Sequence, residues 1–196
     1  MNILIAIRGR WAVHTNYGAA LEPRHAERLA RVGTIRHFPS LSSTADLISA
    51  MEEFPPEIVL SFWGSPKVTR DVCRRFPRFA YLCHLGGGVR DVVERQAIVE
   101  GLLVTNWGNG LAYSVAEAAL MMTLSCLRRT TRLQFDLHQR GLWPGEDEVR
   151  PECLSHRKVG LHGLGAIAQE FARLLEPFHC EVSAYSPHCP DEIFQR

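Results

Sequence analysis

The chain has 196 residues, of which 46% are hydrophobic and 22% are charged, and its formal net charge is +1. This composition is typical of an ordinary soluble globular protein with enough apolar material for one large domain or two small ones. A nearly neutral chain gives no electrostatic reason to expect nucleic acid or a membrane surface as a partner, and no apolar run is long enough to span a bilayer. The amino-terminal residues lead directly into a strand pattern, and six scattered cysteines form no CxxC pair, so we expect reduced thiols and a cytoplasmic location.

Short apolar runs alternate with amphipathic stretches through the first half of the chain. The patterns predict five strands, at 2–7, 34–38, 57–62, 79–85 and 102–106. Helices are predicted between them at 19–31, 43–54, 68–76 and 90–101. Such alternation predicts a parallel sheet covered by helices on both faces, and therefore one small α/β domain.

A different pattern follows the glycine-containing link at 107–110. A long helix is predicted at 112–132, and its centre, 116–127, is apolar nearly all round, which favours burial between domains or subunits. Glycines, prolines and charges predict an extended arm or loop at 134–156. A strand at 158–162, a helix at 166–177 and a strand at 181–185 complete the pattern.

A glycine turn at 159–168, here called the glycine corner, has the form of a dinucleotide-binding βα corner. A pyrophosphate needs backbone N–H groups and the positive end of a helix, with no side chain in the way. Gly163 allows the tight turn, Gly165 allows the phosphate to approach, and Ala168 is the third small residue, where helix and strand pack closely. A structural turn that binds nothing is the alternative.

The end of the next strand bears on the choice of cofactor. A dinucleotide-binding unit usually has an acid there that hydrogen-bonds the adenosine ribose. This chain has Ser186, Pro187 and His188 instead. A serine cannot repel a 2′-phosphate as a carboxylate would, so both NAD and NADP remain candidate cofactors.

A second glycine cluster, Leu85 to Gly88, follows the fourth strand and is here called the glycine loop. Ligands of open α/β sheets bind beyond the carboxyl ends of the strands, where exposed amides of this loop would hold a small carboxylate and Arg90 would add charge. Trp63 and Gly64, after the third strand, would form the other wall of this site. The alternatives are a flexible turn with a solvated arginine, and a tryptophan that only packs.

The histidine and cysteine pairs are too sparse for a zinc site, so no metal is predicted.

Five stretches, taken in order, resemble the D-isomer-specific 2-hydroxyacid dehydrogenase family. They are Leu85-Gly86-Gly87-Gly88, Gly-Leu-Leu-Val-Thr-Asn at 101–106, Ser-Val-Ala-Glu-Ala-Ala-Leu at 114–120, Arg-Gly-Leu-Trp at 140–143, and the glycine corner. The resemblance covers nearly the whole chain and is weakest before about residue 56. It implies a flavodoxin-like substrate domain at 1–107, a linking helix and dimerisation arm at 108–157, and the first βαβ unit of an incomplete Rossmann-type NAD(P)-binding domain at 158–196.

The resemblance also implies a reaction and a set of site residues. The family transfers a hydride between a nicotinamide and a small 2-hydroxy or 2-keto acid. Amides of the glycine loop, Leu85, Gly86, Gly87 and Gly88, would bind the substrate carboxylate, and Val115 would lie near the nicotinamide. A homodimer through the linking helix is implied as well. The residues that would cradle the pyrophosphate are Gly163, Leu164, Gly165, Ala166 and Ile167.

Two departures from the family pattern limit what the resemblance implies. The family often has aspartates where this chain has Arg90 and Val93. Its catalytic arginine, carboxylate and acid–base histidine correspond to no residue here, because the matching positions lie past Arg196. We therefore expect an N-terminal part of such an enzyme that is inactive by itself. A non-catalytic dinucleotide-binding or regulatory protein and a truncated remnant are the alternatives.

Overall fold

The computed structural model describes residues 1–7, 23–143, 150–187 and 191–193. The chain separates into two compact units, Met1–Gly108 and Asn109–Arg196. This division does not test the predicted three-part division at 107 and 157, which stays a prediction.

A parallel five-stranded sheet is the centre of the first unit. Its strand order is β2-β1-β3-β4-β5, the flavodoxin-like order in which the chain reverses direction beside β1. The predicted α/β class and parallel sheet are confirmed. The strands are β1 (Asn2–Ala6), β2 (Thr34–His37), β3 (Ile58–Ser61), β4 (Tyr81–His84) and β5 (Leu103–Thr105).

Apolar side chains fill both faces of this sheet, as a parallel sheet requires. On one face, Leu4, Val59 and Leu82 pack with buried residues of the crossover helices, and on the other, Ile3 and Ile5 pack with residues of β3. The crossover helices in the described residues are α1 (Pro23–Ala30), α2 (Thr44–Glu53), α3 (Arg70–Arg75) and α4 (Arg95–Val99). The first four residues of the helix predicted at 19–31 lie outside the described residues.

Local capping explains where α2 begins. The Ser43 side chain accepts a hydrogen bond from the Asp46 amide at 3.1 Å, and the Asp46 carboxylate accepts from the Ser43 amide at 3.0 Å. Hydrogen bonds from Ser42 and Ser43 lower the pKa of Asp46 to about 2. This reciprocal capping box satisfies amides that the first helical turn leaves without a helical partner.

The helix predicted at 90–101 is wrong in its first half, because α4 begins only at Arg95. Val93 forms a parallel bridge with Val68, in which the Val68 amide donates to Val92 O at 2.9 Å and the Glu94 amide donates to Val68 O at 2.8 Å. Val92 and Val93 are both buried. A turn at 90–92 and the bridge at Val93 therefore occupy the first half of the predicted helix, although its apolar spacing also suits a helix.

The second unit begins with a longer helical region than the sequence predicts. It comprises α5 (Ala112–Leu127), α6 (Thr130–Phe135) and a π-helical segment (Asp136–Arg140). The prediction of a loop from residue 134 is therefore wrong as far as Arg140. Asp136 is buried and pairs with Arg132 at 2.6 Å and with Arg140 at 3.3 Å. These two ion pairs join residues four positions apart on either side of Asp136 and so stabilise the helical conformation there. Gly141 then ends the helix with φ +63°.

A single βαβ unit follows, in which β6 (Lys158–His162) and β7 (Glu181–Tyr185) are paired in parallel and joined by α7 (Ala166–Leu175). Both strands have the bounds predicted for them. A 3-10 turn (Glu176–Phe178) extends α7, and α7 packs against α5. In the described part of the chain, no helix is long and apolar enough to cross a membrane.

Candidate functional site

The glycine loop is attached to the strands on both of its sides. The Leu85 amide donates to Ser61 O at 2.8 Å, on the β3 side. On the β5 side, the Trp107 amide donates to Gly86 O at 3.0 Å, and the Asn106 side-chain amide donates to Gly87 O. Two successive carbonyls of the loop therefore point toward the chain that follows β5.

This arrangement fixes the direction of two amides. In a trans peptide the N–H points opposite to the carbonyl of the same peptide group, and no cis peptide occurs in the described residues. The amides of Gly87 and Gly88 therefore point away from β5, and neither has an acceptor among the described residues. A Cβ built on either glycine meets open space. Two adjacent amides without an acceptor, in a loop where an added Cβ would meet nothing within 4 Å, are suited to binding one carboxylate.

Three aromatic rings, Phe62, Trp63 and Trp107, lie beside the glycine loop and are here called the aromatic cluster. Ring centroids of the cluster are 4.9 to 6.3 Å apart. Phe62 is buried, whereas Trp63 is 53% exposed. Gly64 has φ +78°, so the turn that presents Trp63 requires a glycine-like conformation. The structure thus brings the predicted residues Trp63 and Gly64 to the same edge of the sheet as the loop.

The two departures from the family pattern have different places in the structure. Arg90 is exposed in the turn after the loop. Val93 is buried in the core and bridged to Val68, so an aspartate there would place a charge in the core.

Sequence reasoning missed His84, the last residue of β4. Its side chain is 1% exposed, its Nδ1 lies 3.0 Å from Ser61 Oγ, and its Nε2 has no hydrogen-bond partner among the described residues. Burial lowers the pKa of this imidazole, which favours the neutral form. A Cβ on Gly86 would lie 2.4 Å from His84 Nε2, so the imidazole occupies the space of a side chain at 86. A histidine that ends an otherwise apolar strand, opposite a serine in the register, was the available signal.

The glycine corner lies in the second unit, between β6 and α7. Gly163 has φ +96°, and its amide donates to Tyr185 O at 2.7 Å, which ties the corner to the end of β7. Gly165 is the N-cap of α7 and provides no side-chain cap, so the first amides of the helix stay available. A Cβ on either glycine meets open space. These features suit a pyrophosphate at the start of α7.

The other predicted cofactor residues surround this corner or lie on the neighbouring helix. Leu164 and Ala166 flank Gly165, and Ile167 is 46% exposed in the first turn of α7. Ser186 is half-buried directly after β7, Pro187 is exposed, and His188 lies outside the described residues. Val115 is 42% exposed on α5. The rings of His162 and Tyr185, at the ends of β6 and β7, lie 5.8 Å apart.

A metal site finds no support in the described part of the chain, where no group of three histidine, cysteine, aspartate or glutamate side chains could hold an ion.

Comparison with known proteins identifies relatives of this chain. Residues 120–195 match the family profile of the D-isomer specific 2-hydroxyacid dehydrogenase NAD binding domain. Hydroxypyruvate reductase of Thermotoga maritima is 27% identical over 182 residues, which are 93% of this chain and 57% of that protein. D-3-phosphoglycerate dehydrogenase of Sus scrofa is 30% identical over 151 residues, which are 77% of this chain and 27% of that protein.

A solved structure shares the fold. NAD-dependent formate dehydrogenase from Staphylococcus aureus, solved in complex with NAD, superposes with a TM-score of 0.73 at 24% identity, over 96% of this chain and 57% of that one. The chain therefore spans little more than half the length of this structure and of the hydroxypyruvate reductase. The matched profile begins in the middle of α5, so it includes the second half of that helix as well as the βαβ unit.

The contact between His84 and Gly86 generates the first prediction. Gly86→Ala should lower the free energy of unfolding by about 1–3 kcal/mol, because its Cβ would clash with an imidazole that is too buried to move freely. In a His84→Ala background the same substitution should cost close to nothing, which urea titrations of all four proteins would show as a coupling energy. Gly88→Ala, whose Cβ meets open space, is the matched control. An equal cost of Gly86→Ala in both backgrounds would contradict the clash.

The second prediction concerns pH. The folded pKa of His84 lies below its ordinary 6.5, so on acidification the unfolded chain takes up this proton first. Stability should therefore fall as the pH drops from 6.5 toward the folded pKa. His84→Asn keeps a hydrogen-bonding partner for Ser61 and should make this part of the stability profile flatter. Proton NMR titration of the imidazole gives the direct measurement, and a midpoint at or above 6.5 would refute the assignment.

Proposed function

We propose, because this chain is related to the D-isomer-specific 2-hydroxyacid dehydrogenases, that it carries the acid-binding and dinucleotide-binding parts of an NAD- or NADP-dependent oxidoreductase. The reaction of the whole protein is hydride transfer between the nicotinamide and a small 2-hydroxy or 2-keto acid. The observation that carries this proposal is the pair of free amides at Gly87 and Gly88, presented beyond the carboxyl end of a parallel sheet.

Each part has a defined task in this proposal. The amides of Gly87 and Gly88 hold the carboxylate of the acid and so orient its C2 carbon. The glycine corner holds the pyrophosphate through Gly165 and the first turn of α7, while Val115 lies toward the nicotinamide. When bound, the dinucleotide supplies or accepts the hydride. The acid–base step belongs to an arginine, a carboxylate and a histidine of the family, to which no residue of this chain corresponds.

Three further parts of the proposal rest on the sequence. Ser186 stands where a ribose-binding acid is usual, so the site accepts NADP as well as NAD. The exposed apolar residues of α5, which include Met121 and Met122, suit a homodimer through the linking helix. A cytoplasmic location is consistent with the free cysteines among the described residues.

A non-catalytic dinucleotide-binding protein is the second candidate function. The observation that favours it is the open space at Gly163 and Gly165 before the uncapped start of α7, which suits a dinucleotide whether or not turnover follows. The two candidates differ in one respect only, which is turnover.

Dinucleotide binding is tested by thermal melting of the chain with NAD, NADH, NADP and NADPH. A bound dinucleotide should raise Tm by several degrees at saturating concentration. Gly165→Val should abolish this rise in Tm, because the valine side chain would fill the space at the corner where the pyrophosphate binds. The substitution should not strain the backbone, because Gly165 has a φ of −76°, which valine readily adopts. Gly160→Val, in the strand before the corner, is the matched control and should keep the shift. An unchanged shift in Gly165→Val would place the nucleotide elsewhere.

Turnover is tested by following NAD(P)H absorbance with glyoxylate, hydroxypyruvate and pyruvate. The 196-residue chain by itself should bind dinucleotide and show no acid-dependent oxidation, because it has no counterpart of the family's acid–base groups. Turnover by this chain would contradict the expectation, and it would require a proton donor that the resemblance does not identify.

A further inference from the structure

His84 lies directly beneath the glycine loop and presents one unpaired ring nitrogen to it. The imidazole is 1% exposed, and its Nδ1 lies 3.0 Å from Ser61 Oγ. Its Nε2 has no hydrogen-bond partner among the described residues. Nε2 lies where a side chain on Gly86 would begin, so at most about 4 Å separates it from Gly86 Cα. A buried, titratable nitrogen therefore faces the backbone that carries the free amides.

The same geometry limits the distance between His84 and a bound carboxylate. The nitrogen of Gly87 lies about 2.4 Å from Gly86 Cα, and a carboxylate oxygen lies about 2.9 Å from an amide nitrogen that donates to it. An oxygen held by the Gly87 amide is therefore within about 9 Å of His84 Nε2. At that separation and an effective dielectric constant of about 20 to 40, attraction between unit charges changes an equilibrium constant by about five- to twentyfold. A carboxylate on the loop thus favours the protonated imidazole.

The elements packed around His84 add no charge that competes with this effect. Side chains alternate along β4, so His84 lies on the face of Leu82, toward α2, α3 and α4. Ion pairs at the surface occupy many of the charged side chains of these helices. The remaining titratable side chains there and in the connecting segments are Asp46, Lys67, Cys73, Arg90, Asp91, Glu94 and Arg95. Burial is the cause of the lowered pKa of His84, so an anion that arrives at the loop is expected to raise this pKa.

We propose that His84 is a positioning residue that couples acid binding to proton uptake: a carboxylate held by Gly87 and Gly88 draws one proton from solvent onto the imidazole, and the charged imidazole in turn strengthens the binding of that carboxylate. The two effects are equal in size because linkage is reciprocal. Ser61 Oγ can both donate and accept, so it serves His84 Nδ1 in either protonation state. This inference rests on the proposed function, because it takes the glycine loop as the carboxylate site.

The affinity of the 196-residue chain for pyruvate, measured by isothermal titration at pH 8 and at pH 5.5 with equal ionic strength, tests the coupling. The affinity should rise by about two- to fivefold on acidification, because histidine gains its proton over this range. His84→Asn keeps a hydrogen-bonding partner for Ser61 and should make the affinity independent of pH. His179→Asn is the matched control and should keep the dependence, because His179 is exposed in the other unit and has a φ of 53° that asparagine tolerates.

A second measurement needs no variant. Proton NMR titration of the His84 imidazole in the wild-type chain, without and with saturating pyruvate, gives the midpoint in the free and the acid-bound states. The midpoint should move to higher pH when the acid is bound. The midpoint of His179 should stay where it is, which excludes a general effect of the added salt.

Three results would overturn the inference. They are an affinity for pyruvate that does not change with pH, a His84 midpoint that pyruvate leaves in place, and a pH dependence that persists in His84→Asn. In each of these cases an acid still binds, so the carboxylate assignment of the loop survives. Binding of no acid at either pH would overturn this inference together with that assignment, and the dinucleotide site would still be judged by its own melting experiment.

Discussion

The fixed orientation of two peptide groups, those between Gly86 and Gly88, is the constraint on which the first unit's site depends. Trp107 and Asn106 bind the two carbonyls, so the two amides must leave on the opposite side. Without those bonds the three glycines would be free to rotate, and an anion would bear the cost of ordering them. The sheet contributes by holding the ends of β3, β4 and β5 side by side, and the buried pair of Ser61 and His84 supports the loop from below.

The glycines of the two candidate sites are needed for different physical reasons. Gly163 has a positive φ that side chains rarely adopt, so its backbone conformation requires glycine. Gly86 has His84 Nε2 in the place of a Cβ, so packing requires glycine there. Gly165 has neither restriction, and the space around it is open. It is therefore the position where a side chain is expected to affect a ligand without affecting the fold.

The fold was largely predictable from the sequence, because apolar periodicity reports burial and buried strands alternate with helices along the chain. The failures occurred where particular contacts, rather than apolar spacing or turn-forming residues, decided the structure. Val93 is extended because Val68 bridges it, although the surrounding spacing suits a helix. The region after residue 134 stays helical to Arg140 because buried Asp136 pairs with two arginines, while glycine and proline nearby indicated a loop.

The sequence by itself determined the α/β class, the strands β6 and β7, the two glycine segments and the family resemblance, because each depends on neighbouring residues and their spacing. Only the tertiary structure decided which groups of those segments face a ligand. The direction of the Gly87 and Gly88 amides follows from donors about twenty residues away, at 106 and 107. His84 lies beneath the loop because it contacts Ser61 of the neighbouring strand. Trp63 lies beside the loop because it packs on Trp107, which follows another strand of the folded sheet.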